Sequence, residues 1–144
     1  MLPFVLLFDY GNEKQESSYD VSVYGNNNYI LNKQTGNLFA SGAAAFMGDN
    51  TVKYYITQIE SNVHSCEIGF LSSWIIKKDK TVFILGNKSS IGLTDSTTSW
   101  FEITNLFSAV PEIWDNLFEC KVQLGYNCIR VMTPLGSIYA IGTN

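Results

Sequence analysis

Gly25-Asn-Asn-Asn-Tyr-Ile-Leu-Asn-Lys-Gln-Thr-Gly-Asn-Leu-Phe-Ala-Ser-Gly42 and Gly125-Tyr-Asn-Cys-Ile-Arg-Val-Met-Thr-Pro-Leu-Gly-Ser-Ile-Tyr-Ala-Ile-Gly142 carry glycine at the same three places, 11 and then 6 residues apart. Gly69, Lys80 and Gly86 repeat both intervals with lysine at the middle place. The agreement runs on past the third glycine: Gly42 to Gly48 and Gly86 to Gly92 are both 6 residues, and Gly48 to Ile59 and Gly92 to Ile103 are both 11. One unit is therefore used three times. A period of roughly 20 to 50 residues marks architectures in which each unit buries its apolar face on the next. Gly25 to Gly69 is 44 residues, and Gly69 to Gly125 is 56, which returns to 44 once an insertion of 12 is placed between Ile103 and Gly125.

The unit reads as β-structure. Tyr29–Leu31, Asn37–Ala40, Ser73–Ile76, Thr81–Leu85, Cys128–Met132 and Ser137–Ile141 are short runs rich in β-branched and aromatic residues, each too short for a helix. Between the members of each pair lies hairpin-turn chemistry: Lys33-Gln-Thr-Gly36, Lys77-Lys-Asp-Lys80 and Thr133-Pro-Leu-Gly136. Glycine at the turn accepts positive φ without a Cβ clash, so Lys80 is the strained member unless its turn differs. Further strands are expected at Tyr54–Thr57 and Trp100–Thr104, and in the alternating approaches Asp20–Tyr24, Ser65–Ile68 and Lys121–Leu124. With a buried strand at Phe4–Tyr10, this makes about four strands for each of three repeats.

Four-stranded units in radial repetition are propeller blades. The expected fold is all-β, a partial β-propeller of about three four-stranded blades in one domain, 1–144. The blades fall roughly at 4–42, 43–86 and 87–144, with the insertion at about 105–118.

Val23–Leu31 with Gly36–Gly42, Gly86-Asn-Lys-Ser-Ser-Ile-Gly92, and Leu124–Met132 with Gly136–Asn144 resemble the regulator of chromosome condensation repeat. The resemblance covers roughly residues 20–144. Members of that family usually carry His three residues after the first glycine, where this chain has Asn28, Ser72 and Cys128. They usually carry Trp before the third glycine, where it has Ser41, Leu85 and Ile141. The family's seven-bladed propellers exchange nucleotide on a small GTPase, bind chromatin, inhibit enzymes or serve as scaffolds. Three repeats fall short of seven blades, and an arc of three leaves two broad end faces open to partners. Gly142-Thr-Asn144 ends where a blade would run on into its loop. Partner subunits covering the arc, two copies closing a six-bladed ring, or a piece of a longer chain are the three readings.

Composition narrows the function. The 144 residues are 46% apolar and 15% charged, an ordinary globular balance, with a formal net charge of −4. Nine Lys and Arg supply little of the basic surface a phosphate backbone needs. Cys66, Cys120 and Cys128 lack CxxC spacing and His64 stands alone, so no metal ligand set is expected, and the thiols read as reduced and structural. Met1–Phe8 is apolar but has neither a charged leader nor a small-residue cleavage site, and Asp9 interrupts it. The expected compartment is cytoplasmic or nuclear, without a membrane partner.

The insertion is the candidate interface. Ser108 is placed as cap of a short helical turn begun by Pro111. Ile113, Trp114, Leu117 and Phe118 then form a stripe at helical spacing, with Leu106 and Phe107 before them. The six either anchor a partner or fold back to cover an open blade. Lys77, Lys78 and Lys80 form the one basic cluster, either solvated or touching RNA or an acidic protein.

Catalysis finds little support. Asp9, Glu13, Glu16, Asp20, Asp95, Glu102, Glu112, Asp115 and Glu119 form no motif, the His64-x-Cys66 pair lacks a nucleophile context, and no phosphate loop or cofactor motif occurs. The expectation is a non-catalytic protein-interaction module, a scaffold or small complex subunit acting through protein partners or self-association. The alternative is a regulator of a small GTPase completed by blades from other chains.

Overall fold

The computed structural model describes Pro3 and residues 18–142. The strand expected at Phe4–Tyr10, the carboxylates Asp9, Glu13 and Glu16, and the last two residues lie outside the described part.

The strands β1 (Tyr19–Tyr24), β2 (Asn27–Asn32), β3 (Leu38–Gly42) and β4 (Lys53–Glu60) form the first sheet in chain order. The second contains β5 (Val63–Ile68), β6 (Ser72–Lys77), β7 (Val82–Asn87) and β8 (Ser96–Glu102). The third has β9 (Lys121–Leu124), β10 (Cys128–Met132) and β11 (Ile138–Gly142). Every neighbouring pair is antiparallel. The first strands converge, β1 against β5 and β5 against β9, so the sheets fan out from one side. This is the radial arrangement of propeller blades.

The sheets are phased differently from the glycine partition into 4–42, 43–86 and 87–144. Hydrogen bonding assigns β4 to the first sheet and β8 to the second, although each lies in the following unit. The third sheet accordingly holds three strands among the described residues, not four. The glycines mark something other than sheet borders. A Cβ at Gly42, Gly86 or Gly142 would press on Asn27, Ser72 or Cys128 across the hairpin, so the third glycine marks where neighbouring strands approach closest.

Two further expectations are corrected. The strand over Trp100–Thr104 ends at Glu102, and Thr104 opens α1 (Thr104–Ser108), its hydroxyl accepting the Val82 N–H at 3.0 Å. The cap of α2 (Pro111–Asp115) is Val110, not Ser108. Ser108 ends α1, where its Oγ donates to the Asn105 carbonyl at 3.4 Å. Proline begins α2 as expected, its absent N–H being one that a first helical turn leaves unpaired.

Two apolar cores sandwich the middle sheet. On one face Tyr29, Leu31, Leu38 and Ala40 of the first sheet meet Val63, Ile68 and Ile75. On the other Trp74, Ile76, Val82 and Ile84 meet the insertion and Val122, Ile129 and Val131 of the third sheet. Residues of β6 therefore alternate between two interiors, which explains its unbroken run of burial. Each such side chain contributes about 1.5–3 kcal/mol by leaving water. One polar pair crosses the first interior: Tyr29 Oη donates to the Phe46 carbonyl at 2.7 Å and accepts from Ser73 Oγ at 2.8 Å. The phenol is fully buried, and desolvation drives its pKa upward.

Candidate interaction surfaces

The insertion folds back onto the protein. Phe107, Ile113 and Leu117 are only 4%, 4% and 1% exposed and belong to the core between the second and third sheets. These three, placed by the sequence in a candidate partner interface, are interior residues because their stripe is the lid of that core. Trp114 and Phe118 are half-buried at its rim, and Leu106 is exposed. Phe118 stacks on the His64 ring with centroids 4.3 Å apart.

Polar contacts hold the lid through two neighbouring residues of α2, Glu112 and Trp114. Glu112 on α2 accepts from Thr133 Oγ1 at 2.7 Å and from Tyr139 Oη at 2.6 Å, joining the insertion to the residue after β10 and to β11. Those bonds, Tyr139's first, hold the Glu112 carboxyl below its ordinary range and push the Tyr139 phenol up. On the other side Lys80 Nζ donates to the Trp114 carbonyl at 2.9 Å and lies 4.9 Å from the ring centroid. Lys80 adopts φ +70, the glycine-like conformation of its repeat position. An apolar groove of about 220 Å³ remains between Leu106, Val110 and Ile113 on the insertion and Val131, Tyr139 and Ile141 on the third sheet.

The lysine cluster is spoken for within the chain. Lys77 pairs with Glu60 at 2.8 Å, Lys78 Nζ reaches the Gln34 carbonyl at 3.4 Å, and Lys80 holds Trp114. The hairpin turn thus clasps the first sheet and the insertion instead of presenting a basic patch.

A second groove follows the converging first strands, lined by Asp20, His64, Glu67, Phe118 and Lys121 among others. Cys66 lies here, and burial pushes its thiol up to about 12, so it stays protonated and unreactive. His64 Nδ1 is 3.2 Å from Ser65 Oγ, and burial lowers its pKa. Burial raises Glu67, opposed by a 3.4 Å bond from Leu124 N–H and by the nearby Trp74 indole, whose own N–H falls short of hydrogen-bond geometry. A protonated thiol beside an imidazole without a carboxylate partner does not make a nucleophile.

One arrangement escaped the sequence reading. Tyr24, Phe70 and Tyr126, next to the first glycine of each repeat, are 42%, 52% and 63% exposed and stand in a row. Their centroids are 5.6 Å apart edge-on and 5.7 Å apart stacked. The signal was present as an aromatic beside Gly25, Gly69 and Gly125.

Among the described residues no group of three His, Cys, Asp or Glu is placed to hold a metal, and no helix is long and apolar enough to cross a membrane.

These elements define an all-β, partial β-propeller with helical cover on one inter-sheet core. No family model matches the chain, and no curated protein does. Solved structures do share its fold. Human WBSCR16 matches with a TM-score of 0.58 and 18% identity over 87% of this chain and 34% of that one. Yeast RCC1 (Prp20), in its crystal structure bound to Kap60, matches with 0.58 and 14% over 89% and 31%. Prp20p from Saccharomyces cerevisiae, described with its binding properties to Gsp1p and histones, gives 0.58 and 13% over 90% and 32%. The chain spans about a third of the length of each, and the fold it shares is that of an RCC1-type propeller.

Proposed function

We propose that the chain is a non-catalytic protein-interaction module, a small subunit or adaptor that docks onto larger protein partners. The observation that carries this reading is the third sheet: among the described residues it has three strands where the others have four, and its far face lies open. Exposed sheet faces and edges invite pairing with other chains. Leu106, with the rims of Trp114 and Phe118, is the part of the insertion available to the same partner. Light scattering on the chain expressed alone, beside the chain purified at native level from its source cells, tests this. Aggregation alone and a large, defined native particle are the expected pair of results; a stable monomer in both preparations overturns the reading.

Regulation of a small GTPase is the second reading, supported by the fold shared with Prp20p, a protein described with binding to Gsp1p. Its test is release of labelled GDP from a small GTPase. The reading requires acceleration by the assembled particle and loss of acceleration in Leu106→Asp.

A further inference from the structure

We propose that the outer face of the third sheet, centred on Arg130, is a docking surface for an acidic protein segment. The inference rests on the adaptor reading above and names the face and the partner's chemistry.

Strand register builds this face. Lys121, Met132 and Ile138 form one cross-strand row, and Gln123, Arg130 and Ala140 the next, all exposed. The intervening rows, Val122–Val131–Tyr139 and Leu124–Ile129–Ile141, point the other way, toward the insertion and the second sheet. Met132 and Ile138 are 47% and 64% exposed, and a depression of about 140 Å³ runs between them and the two cations.

The charges select the occupant. Among the described residues, Lys33, Lys53, Lys77 and Lys88 pair with Asp20, Asp49, Glu60 and Asp95, while Lys78 and Lys80 hold backbone carbonyls. Of the described cations, Lys121 and Arg130 are the two without an internal partner, and both stand on this one face. A planar guanidinium set between apolar side chains suits bidentate pairing with a carboxylate, and Met132 adapts to the apolar part of a partner. A second copy joining head to tail would offer the outer face of its first sheet. Across β1, β2 and β3 that face carries Val21, Val23, Asn28, Ile30, Phe39 and Ser41 by register, with Ile30 buried, Phe39 half-buried and no carboxylate among the six. Nucleic acid fits poorly, since two cations on a chain of net charge −4 offset few phosphates.

The test uses the full chain and a fluorescein-labelled peptide alternating Glu with Val, read by fluorescence anisotropy at low salt. A peptide alternating Lys with Val and a short DNA duplex serve as competitors. The expected result is saturable binding of the acidic peptide, weakened at least tenfold in the Lys121→Ala, Arg130→Ala double variant and unchanged in Tyr54→Ala, an exposed side chain of β4. The charge-reversed pair, Lys121→Glu with Arg130→Glu, should prefer the basic peptide. Circular dichroism melts confirm that the variants fold, and Arg130→Gln alone replaces any that does not. Absence of saturable binding, undiminished binding by the alanine pair, or tighter binding of the duplex overturns the proposal. A homodimer dissolved by Arg130→Glu also overturns it, giving the face to a second copy. Failure here beside an intact native particle removes this face and leaves the adaptor reading resting on Leu106 and the rims of Trp114 and Phe118.

Discussion

Lys80 grips Trp114 by both its carbonyl, at 2.9 Å, and its ring, at 4.9 Å from the centroid, from the turn position where the other repeats have Gly36 and Gly136. The one lapse in the glycine pattern is thus a tether between the second sheet and the insertion. It holds despite the strain of positive φ on a residue with a side chain.

Two substitutions separate tether from strain. Lys80→Met keeps the strained backbone and loses the grip, and should destabilise by about 1–2 kcal/mol. Lys80→Gly loses the grip but relaxes the backbone, and should be about 1 kcal/mol more stable than the methionine variant. Urea unfolding midpoints with matched slopes decide between them.

Acid should loosen the insertion through Glu112. Its ordinary pKa of 4.5 is lowered in the fold by the Tyr139 and Thr133 hydroxyls. A carboxyl with a depressed folded pKa contributes stability that is present above 4.5 and lost as pH falls through the lower folded value. Thermal melts of the native chain should therefore drop more steeply than those of Glu112→Gln as pH falls below 4.5. Parallel curves for the two proteins would refute this.

Leu117 and Leu106 sit 11 residues apart in the insertion but in opposite environments, 1% and 38% exposed. Leu117→Ala empties part of the second core and should cost about 2–5 kcal/mol. Leu106→Ala should stay within about 0.5 kcal/mol. Equal losses in denaturant unfolding would mean that the lid does not close as described.

Gly86 and Gly136 share a positive φ, +94 and +93, but not a neighbourhood. A methyl at Gly86 would drive into the Leu71 carbonyl and the Ser72 Cα, whereas at Gly136 it meets open space. Gly136→Ala should cost about 1–2 kcal/mol, the strain alone. Gly86→Ala should cost more than about 3 kcal/mol, strain plus collision. Loss of soluble expression only in the Gly86 variant would be the expected extreme.

Much of the fold was legible because its signals are local. Lys121–Leu124 and Cys128–Met132 emerge as β9 and β10 at the bounds their alternation suggests. The third glycine recurs in each repeat, and it sits where Asn27, Ser72 or Cys128 comes closest across the hairpin. The sheet phase was not readable, since spacing along the chain does not say whether β4 bonds to β3 or β5. The helix cap was misplaced because Ser108 is a good cap by type, yet α1 had already taken it. The candidate interface was half legible: its apolar stripe was recognised, but which side faced a core depended on Val122, Ile129 and Val131 many residues later. Tyr24, Phe70 and Tyr126 recur beside the first glycine of each repeat, on its N-terminal side once and its C-terminal side twice, and that spacing does not tell that the three rings meet.

The one-strand offset between glycine unit and sheet has a bearing on how such a chain can lengthen. A segment copied at the glycine borders brings β4 or β8 as its leading strand, which completes the sheet already in place, and then three strands of its own. Each duplication thus finishes its predecessor and is itself left unfinished. Tandem growth by this rule couples every newcomer to the older sheet by backbone hydrogen bonds as well as by side-chain packing. Excising an internal unit at the same borders returns a compatible leading strand to the sheet before it, so the array can gain or lose whole units without a change in local design.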